Sequence, residues 1–230
     1  MSSPVADNDR RRSRGRPPKT EAEVDLVRTR VLAATRTVFA DVGYHGLSVE
    51  LVLHEAGVSR PTFYKYFRSL DEVVERLLAE VNQDLVARLL SALASASEPF
   101  AKVEAAVLAW RQWGEDLGAF LRPFFAELHD RTSPVGRHRE RTLELLMAPI
   151  AEAVVLLGRE RPTPLRVAAF LHGVEYLGYR YHLDTPRDPE SWRETREAMF
   201  RLALGLLGDA GDWGNALELA RDFDVHLERV

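Results

Sequence analysis

The chain has 230 residues, of which 46% are hydrophobic and 29% charged, which suits one or two globular domains with a sizeable core and excludes a wholly disordered chain. Its longest apolar stretch, residues 145–158, contains Glu152 and is shorter than the roughly 20 residues that a membrane-spanning helix needs. We therefore predict no membrane partner. The arginine-rich start lacks the apolar segment of a secretory signal, and the absence of cysteine fits a reducing cytoplasm.

The charge is distributed unevenly along the chain. The net charge is -4, but residues 10–19 hold six cations and no anion, so the other residues together carry -10. Residues 1–20 contain few apolar side chains, and Pro17 and Pro18 oppose helix formation. We predict a disordered basic arm over residues 1–20, which can reach phosphates that the acidic body would repel.

Helical spacing begins after this arm. Valines and one alanine recur every three or four residues and predict a first amphipathic helix that ends at Gly43; they are Val24, Val27, Val31, Ala34, Val38 and Val42. Ser48 caps a short second helix, which carries Leu51 and Val52 and ends near Gly57. Ser59 caps a third helix, whose first turn tolerates Pro61.

Longer helices follow. Ser69 and Glu72 form a capping box that opens a long fourth helix. Further starts are marked by a cap residue before proline, and stops by Gly158 and Gly208; the starts are Ser133-Pro134, Thr163-Pro164 and Asp188-Pro189. With shorter segments around Trp110 and Phe124 and a tail from Asp212 to Val230, we predict an all-α fold of nine or ten helices. Its predicted parts are the arm (1–20), a helix-turn-helix domain (21–68) and a helical domain (69–230).

The segment AGVSRPTFYKYF predicts the helix-turn-helix. Its two helices cross steeply, so the turn needs a residue that accepts positive φ, and Gly57 supplies it. Val58 plugs the core beneath the turn. Phe63 and Phe67 lie four residues apart and should face inward, which leaves an outer face for the major groove; that face carries Pro61, Thr62 and Lys65.

From Val27 to Leu78 the sequence resembles the TetR family of bacterial repressors. The resemblance rests on the first helix, the Gly-Tyr-x-Gly-x-Ser segment, the Ala-Gly-Val-Ser turn and the Thr-Phe-Tyr-x-Tyr-Phe helix. It implies phosphate contacts from Ser48, Tyr64 and Tyr44. It also implies groove-facing positions beside the capping Ser59, namely Arg60, Pro61, Thr62, Lys65 and Tyr66.

Two positions depart from that family. Leu70 stands where a phosphate-binding lysine is frequent, so we expect that contact to be lost or to pass to Arg68. Leu53 stands where the second helix usually has alanine, which predicts a wider spacing between helices two and three. In the arm, the run from Arg14 through Arg16 to Pro17 resembles an AT-hook, which suits a narrow minor groove; a solubilising tail without base preference is the alternative.

For the C-terminal part the resemblance implies a ligand cavity among helices four to eight. A set of aromatic and sulfur-containing side chains lies on these helices, and most of them should be ordinary core. The set predicts a flat apolar effector. It comprises Trp110, Trp113, Phe120, Phe124, Phe125, Met147, Tyr176 and Tyr179. His172, Glu175 and Arg180 are candidates for orienting that effector. A solvated stripe or an ion pair between subunits is the alternative for these three.

Small residues on the last two long helices predict close packing between subunits in a four-helix interface, or alternatively within one monomer; they are Ala168, Ala169, Gly173, Gly178, Ala198, Ala203 and Gly205. A two-fold dimer implies a palindromic double-stranded DNA operator. The resemblance thus predicts a cytoplasmic, nucleoid-associated homodimeric repressor that a small molecule releases from DNA.

Alternatives to a ligand-controlled repressor are an architectural or division-linked DNA-binding protein that responds to a protein partner, and an activator. Motifs for zinc peptidases, phosphate-binding loops and nucleophile elbows are absent from the sequence. We therefore predict that the chain is not an enzyme and that it needs no cofactor and no metal.

Overall fold

A computed structural model describes residues 21–184, 187–209 and 211–212, without the side chains of residues 21–24 and 184. The predicted arm, with Arg14 and Arg16, and nearly all of the predicted tail lie outside the described residues. Within the described ranges the chain forms nine α-helices and no strand, so the all-α prediction is confirmed. No helix in those ranges is both long and apolar enough to cross a membrane.

The helices follow one another with short connections. They are α1 (Glu21–Gly46), α2 (Val49–Ala56), α3 (Arg60–Tyr66), α4 (Leu70–Ser95), α5 (Pro99–Leu117), α6 (Leu121–Ala126), α7 (Pro134–Leu156), α8 (Pro164–Tyr179) and α9 (Pro189–Leu207). A 3-10 turn, Gly118–Phe120, leads into α6, and a π-helical turn, Arg180–Asp184, extends α8.

The first three helices enclose a small core of their own. Phe63 and Phe67 are fully buried in it, as their spacing predicts, together with Val31, Val52 and Val73 from the neighbouring helices. The expected apolar face of α1 is wrong at one position, because Val42 is 45% exposed. It stands next to Gly43, where a φ of 67° breaks the helical path, so the helical spacing ends there.

Hydroxyl and carboxylate caps fix most of the helix starts. The side chain of each predicted cap accepts a hydrogen bond from a first-turn N–H, and the caps are Ser48, Ser59, Ser69, Ser133, Thr163 and Asp188. Glu72 also folds back over the helix start, but it accepts from the N–H of Arg68 at 2.8 Å, one residue before the cap N–H that a capping box uses. The start of α5 follows Glu98, whose side chain makes no capping bond, and the proline at position 99 marks it instead.

The later helices form a bundle that shares its core with α1. α4 packs against α5 and α7, and α8 packs against α9. Phe39 of α1 meets Phe120 at 4.7 Å between ring centroids, and Arg36 donates to the carbonyl of Asp116 at 3.1 Å. The helix-turn-helix therefore rests directly on the turn between α5 and α6.

Several of the small residues on α8 and α9 pack inside the monomer, which was the alternative to subunit packing. A Cβ on Gly178 would lie 1.6 Å from Cη2 of Trp110, and one on Gly173 would lie 2.7 Å from Cδ1 of Leu202. Ala203 is buried. Of the same set, Ala169 and Gly205 are exposed and remain open to a second copy.

Candidate functional site

The turn before α3 is held in place from two sides. Gly57 adopts φ 60° and ψ 38°, as the sequence predicts, and its N–H is bonded to the carbonyl of His54 at 3.3 Å. Arg30 of α1 donates to the carbonyl of Ala56 at 2.6 Å, so a guanidinium clamps the end of α2. Sequence patterns did not identify Arg30, because its partner lies 26 residues further along the chain.

The outer face of α3 matches most of the prediction. Pro61, Tyr64 and Lys65 are exposed, and Tyr64 presents 48% of its surface. Ser59 caps the helix, and its Oγ lies 2.8 Å from Oγ1 of Thr62, which fixes both hydroxyls at the first turn. An exposed helix face with polar and cationic side chains can reach base edges and phosphates in a major groove.

Tyr66 departs from the expected groove-facing position. Its side chain is partly buried and packs against the core of the helix-turn-helix, and its hydroxyl oxygen is buried. The reason is helical geometry, because Tyr66 follows the buried Phe63 by three residues and shares its side of the helix. Tyr66 therefore supports α3 from within.

Arg60 is exposed but forms an ion pair with Glu50 of α2. The two side chains are 54% and 67% exposed, so the pair is screened and contributes little to stability. It does place a carboxylate beside a cation of the predicted DNA-binding face. Glu50 therefore lowers the positive charge that this face presents to phosphates.

We predict that Glu50→Gln strengthens DNA binding and makes it more dependent on salt. Release of Arg60 adds about one phosphate contact, which should steepen the slope of log affinity against log salt by about one. Binding of duplex DNA measured across a salt series tests this, with Glu55→Gln, an exposed carboxylate on the same helix, as the control. Unchanged slopes for both variants would contradict it.

Tyr44 joins the helix-turn-helix to the C-terminal domain. Its N–H donates to Oε1 of the buried Glu127 at 2.7 Å, and Oε2 of Glu127 accepts from the hydroxyl of Ser133 at 2.6 Å. The Tyr44 hydroxyl donates to Asp71 at 3.4 Å. Partial burial, followed by the negative charge of Asp71, raises the pKa of Tyr44, so the phenol stays protonated and able to donate. Its contact with a phosphate remains a prediction.

The two departures from the family pattern have structural consequences. Leu70 is partly buried and packs against both hydrophobic cores, so it offers no donor to a phosphate. Arg68 is exposed at the start of α4 and stays available for that contact. Leu53 packs against the core beneath the turn, together with Val58. The larger residue is therefore accommodated within the three-helix core.

The C-terminal helices form a cavity of about 200 Å³ that is lined by residues of α4 to α9. Of the predicted pocket residues, Trp110, Trp113, Phe124 and Glu175 line it, as does Phe125. The others lie elsewhere: Phe120 packs on α1, Met147 packs in the core between α7 and α8, Tyr179 packs against Phe125, and His172 and Tyr176 are exposed on α8.

Polar groups stand at both ends of this mostly apolar cavity. At one end Asn82 accepts a hydrogen bond from Thr142 at 2.9 Å, and Arg139 donates to Glu175 at 2.6 Å. At the other end lie three further side chains, Lys102, Arg159 and Asp212. Sequence patterns identified only Glu175 among them, since their partners come from distant helices and no local spacing reveals them.

This geometry defines a class of protein, a helix-turn-helix protein with a helical domain that encloses a cavity. The sequence profile described as "Bacterial regulatory proteins, tetR family" matches residues 31–77. Over these residues the chain is similar to this family. It is 33% identical over 86 residues to the HTH-type transcriptional activator FasR of Mycolicibacterium smegmatis, over 37% of this chain and 39% of FasR. The matched region thus spans less than half the length of that relative.

Solved structures are similar over a larger part of the chain. The TetR-family transcriptional regulator SCO4454 from Streptomyces coelicolor covers 80% of this chain and 97% of its own, with a TM-score of 0.63 and 18% identity. A putative TetR-family transcriptional regulator from Syntrophomonas wolfei gives 0.66 with 14% identity, over 80% of this chain and 97% of that one. These similarities show that the chain, including its C-terminal helices, shares the fold of these structures.

Proposed function

We propose that the chain is a DNA-binding transcription regulator that acts as a homodimer and is controlled by a small molecule in the C-terminal cavity. The observation that carries the DNA-binding part is the outer face of α3, where Thr62, Tyr64 and Lys65 project from a short helix that Ser59 caps. Behind it, Gly57 turns the chain and Arg30 donates to the carbonyl of Ala56, and both hold this face in position.

The double variant Thr62→Ala/Lys65→Ala should lose sequence-specific binding. Each side chain that contacts a base or phosphate contributes about 1 to 3 kcal/mol, so the pair should weaken binding by about thirtyfold or more. Affinity is measured on duplexes that the full chain selects from a random pool, at several salt concentrations. The control is Arg161→Ala, which removes a cation from the opposite domain. Equal affinity of the double variant and the wild type would overturn the proposal.

Dimerisation is supported by an exposed face on α8. Leu165 is 80% exposed and Tyr176 60%, and Ala169 and His172 lie between them at helical spacing. Gly205 on the neighbouring α9 has open space around its Cα. Two helices from each copy would form a four-helix interface, and a two-fold dimer would present two copies of α3 about 34 to 36 Å apart to successive major grooves.

Control by a ligand is supported by the position of the cavity relative to the helix-turn-helix. Phe124 and Phe125 line the cavity, and the same short segment holds Glu127, which accepts from the N–H of Tyr44. α4 also runs from Ser69, next to α3, to Leu93 in the cavity wall. A ligand that shifts α4 or α6 would therefore change the spacing of the two copies of α3 and release the DNA.

The cavity favours control by a small molecule. An architectural or division-linked protein that responds to a protein partner would be expected to have a filled core instead. Repression fits this release mechanism, whereas the similar protein FasR is a transcriptional activator. A reporter driven by the selected DNA distinguishes them: transcription should rise when the regulator is deleted, and a fall would establish activation instead.

A further inference from the structure

We infer that the cavity takes an unbranched alkyl chain that ends in a carboxylate, with the carboxylate beside Lys102 and Arg159. This inference rests on the proposed function, since it names the ligand class of the same cavity. It replaces the flat aromatic effector that the sequence predicts. The argument comes from the shape of the cavity, from its walls and from the charges at its two ends.

The cavity is long and narrow. Its lining residues run from Asn82 to Leu93 on α4 and from Pro99 to Trp113 on α5, which correspond to about 16 Å and about 21 Å of helix. The two helices run side by side in opposite directions, because Trp113 donates to the carbonyl of Val81 and Lys102 donates to that of Leu93. A volume of about 200 Å³ spread along such a length makes a narrow, elongated cavity.

The walls between the ends are hydrocarbon. Leu85 and Leu89 face the cavity from α4, Val107 from α5 and Leu146 from α7. Such walls bind a ligand by removing its apolar surface from water. An extended alkyl chain can contact these walls along their whole length, whereas a compact ring system would leave most of that length empty. The shape therefore selects a linear chain.

The inner end, nearest the helix-turn-helix, offers no unbalanced charge. Arg139 and Glu175 neutralise each other in a largely buried pair, with side chains 12% and 19% exposed. Asn82 donates to the carbonyl of Leu78 and accepts from Thr142, so its polar atoms are used within the protein. A charged head group placed here would have to displace one of these bonds. The inner end therefore suits the methyl end of the ligand.

The outer end has an excess cation. Arg159 donates to Asp212 at 2.7 Å, and these two charges cancel, which leaves Lys102 as the third charge in the wall. The Lys102 ammonium donates to the carbonyl of Leu93, and within the described residues no carboxylate pairs with it. An ammonium has three donors, and a partly buried cation is stabilised by an anionic partner. A ligand carboxylate would supply that partner while the chain fills the channel.

Direct binding to the full chain without DNA tests this inference. We expect dodecanoate to bind at least about tenfold more tightly than dodecanol and dodecyltrimethylammonium, which have the same chain and a neutral or cationic head, because a charge-assisted bond forms only with the carboxylate. Tighter binding of naphthoate than of dodecanoate would overturn the linear shape. Tighter binding of the dodecanoyl thioester of coenzyme A than of the free acid would overturn the free carboxylate.

The role of Lys102 is tested by Lys102→Gln. This variant should bind dodecanoate about tenfold less tightly and dodecanol as well as the wild type does, so that the difference between the two ligands disappears. Arg161→Gln is the matched control, because it removes the same charge close to Arg159 on a side chain that is 55% exposed and outside the cavity. Retention of the tenfold difference in Lys102→Gln would overturn the assignment of the head group.

The orientation is tested by quenching of tryptophan fluorescence. Trp110 and Trp113 line the inner part of the channel, so dodecanoate brominated at its methyl end should quench more strongly than dodecanoate brominated next to the carboxylate. The reverse order would overturn the orientation. DNA binding is measured separately on the same samples. Loss of DNA binding with intact dodecanoate binding would overturn the proposed function alone, and the opposite result would overturn this inference alone.

Discussion

Gly178→Ala should lower the free energy of unfolding by about 3 kcal/mol, because the new methyl group has no space. A Cβ at this position would lie 1.6 Å from Cη2 and 2.1 Å from Cζ3 of Trp110. The indole cannot swing away freely, since Trp113, Phe125 and His182 surround it at 5.3 to 6.5 Å between ring centroids. At this chain length the melting temperature should fall by about 6 to 12 °C.

The same substitution on the same helix gives the control. A Cβ on Gly173 would meet only the tip of the flexible Leu202 side chain, so Gly173→Ala should change stability little. Trp110→Phe in the Gly178→Ala background should recover part of the loss, because a phenyl ring lacks the atoms that clash. A double-mutant cycle by chemical denaturation measures this coupling. Equal stability of Gly178→Ala and Gly173→Ala would show that the close contact is not what requires glycine at position 178.

The helix-turn-helix was predictable because its determinants are local. Ser59 and Gly57 act on residues within one turn of themselves, and Phe63 and Phe67 reveal the buried side of α3 by their spacing alone. The one predicted groove residue that is partly buried, Tyr66, follows the buried Phe63 by three residues, so the same local spacing also accounts for this exception.

The cavity was less predictable because residues from distant parts of the chain meet there. The pair of Arg139 and Glu175 joins α7 to α8, and Asn82 of α4 meets Thr142 of α7 across 60 residues. Aromatic residues on the C-terminal helices do not all face the cavity. Phe120 packs against α1, and Tyr176 is exposed at the surface. Helical spacing gives a side chain its direction from its own helix, but it does not say what the neighbouring helix presents.

His182 should make the protein sensitive to acid. It is 4% exposed in the π-helical turn after α8, and neither of its ring nitrogens has a hydrogen-bond partner within the described residues. A Cβ on Gly114 of α5 would lie 2.3 Å from Nε2 of His182. α5 therefore packs directly against the imidazole. Burial, followed by the positive charge of Arg187, lowers the pKa of His182 from 6.5 to about 4.

The sign of the effect follows from proton uptake. Between pH 6.5 and about 4 the unfolded chain holds a proton on His182 and the folded chain does not, so acid favours unfolding across this window. The shift corresponds to on the order of 3 kcal/mol of stability lost by pH 4. His182→Leu, which cannot titrate, should lose less stability than the wild type over the same window by that amount. Denaturation curves at several pH values measure the difference, with the exposed His54→Gln as control. The two proteins could instead lose the same stability as the pH falls. That result would mean that the imidazole takes up its proton equally well in the folded and unfolded states, and therefore that water reaches it in the folded protein.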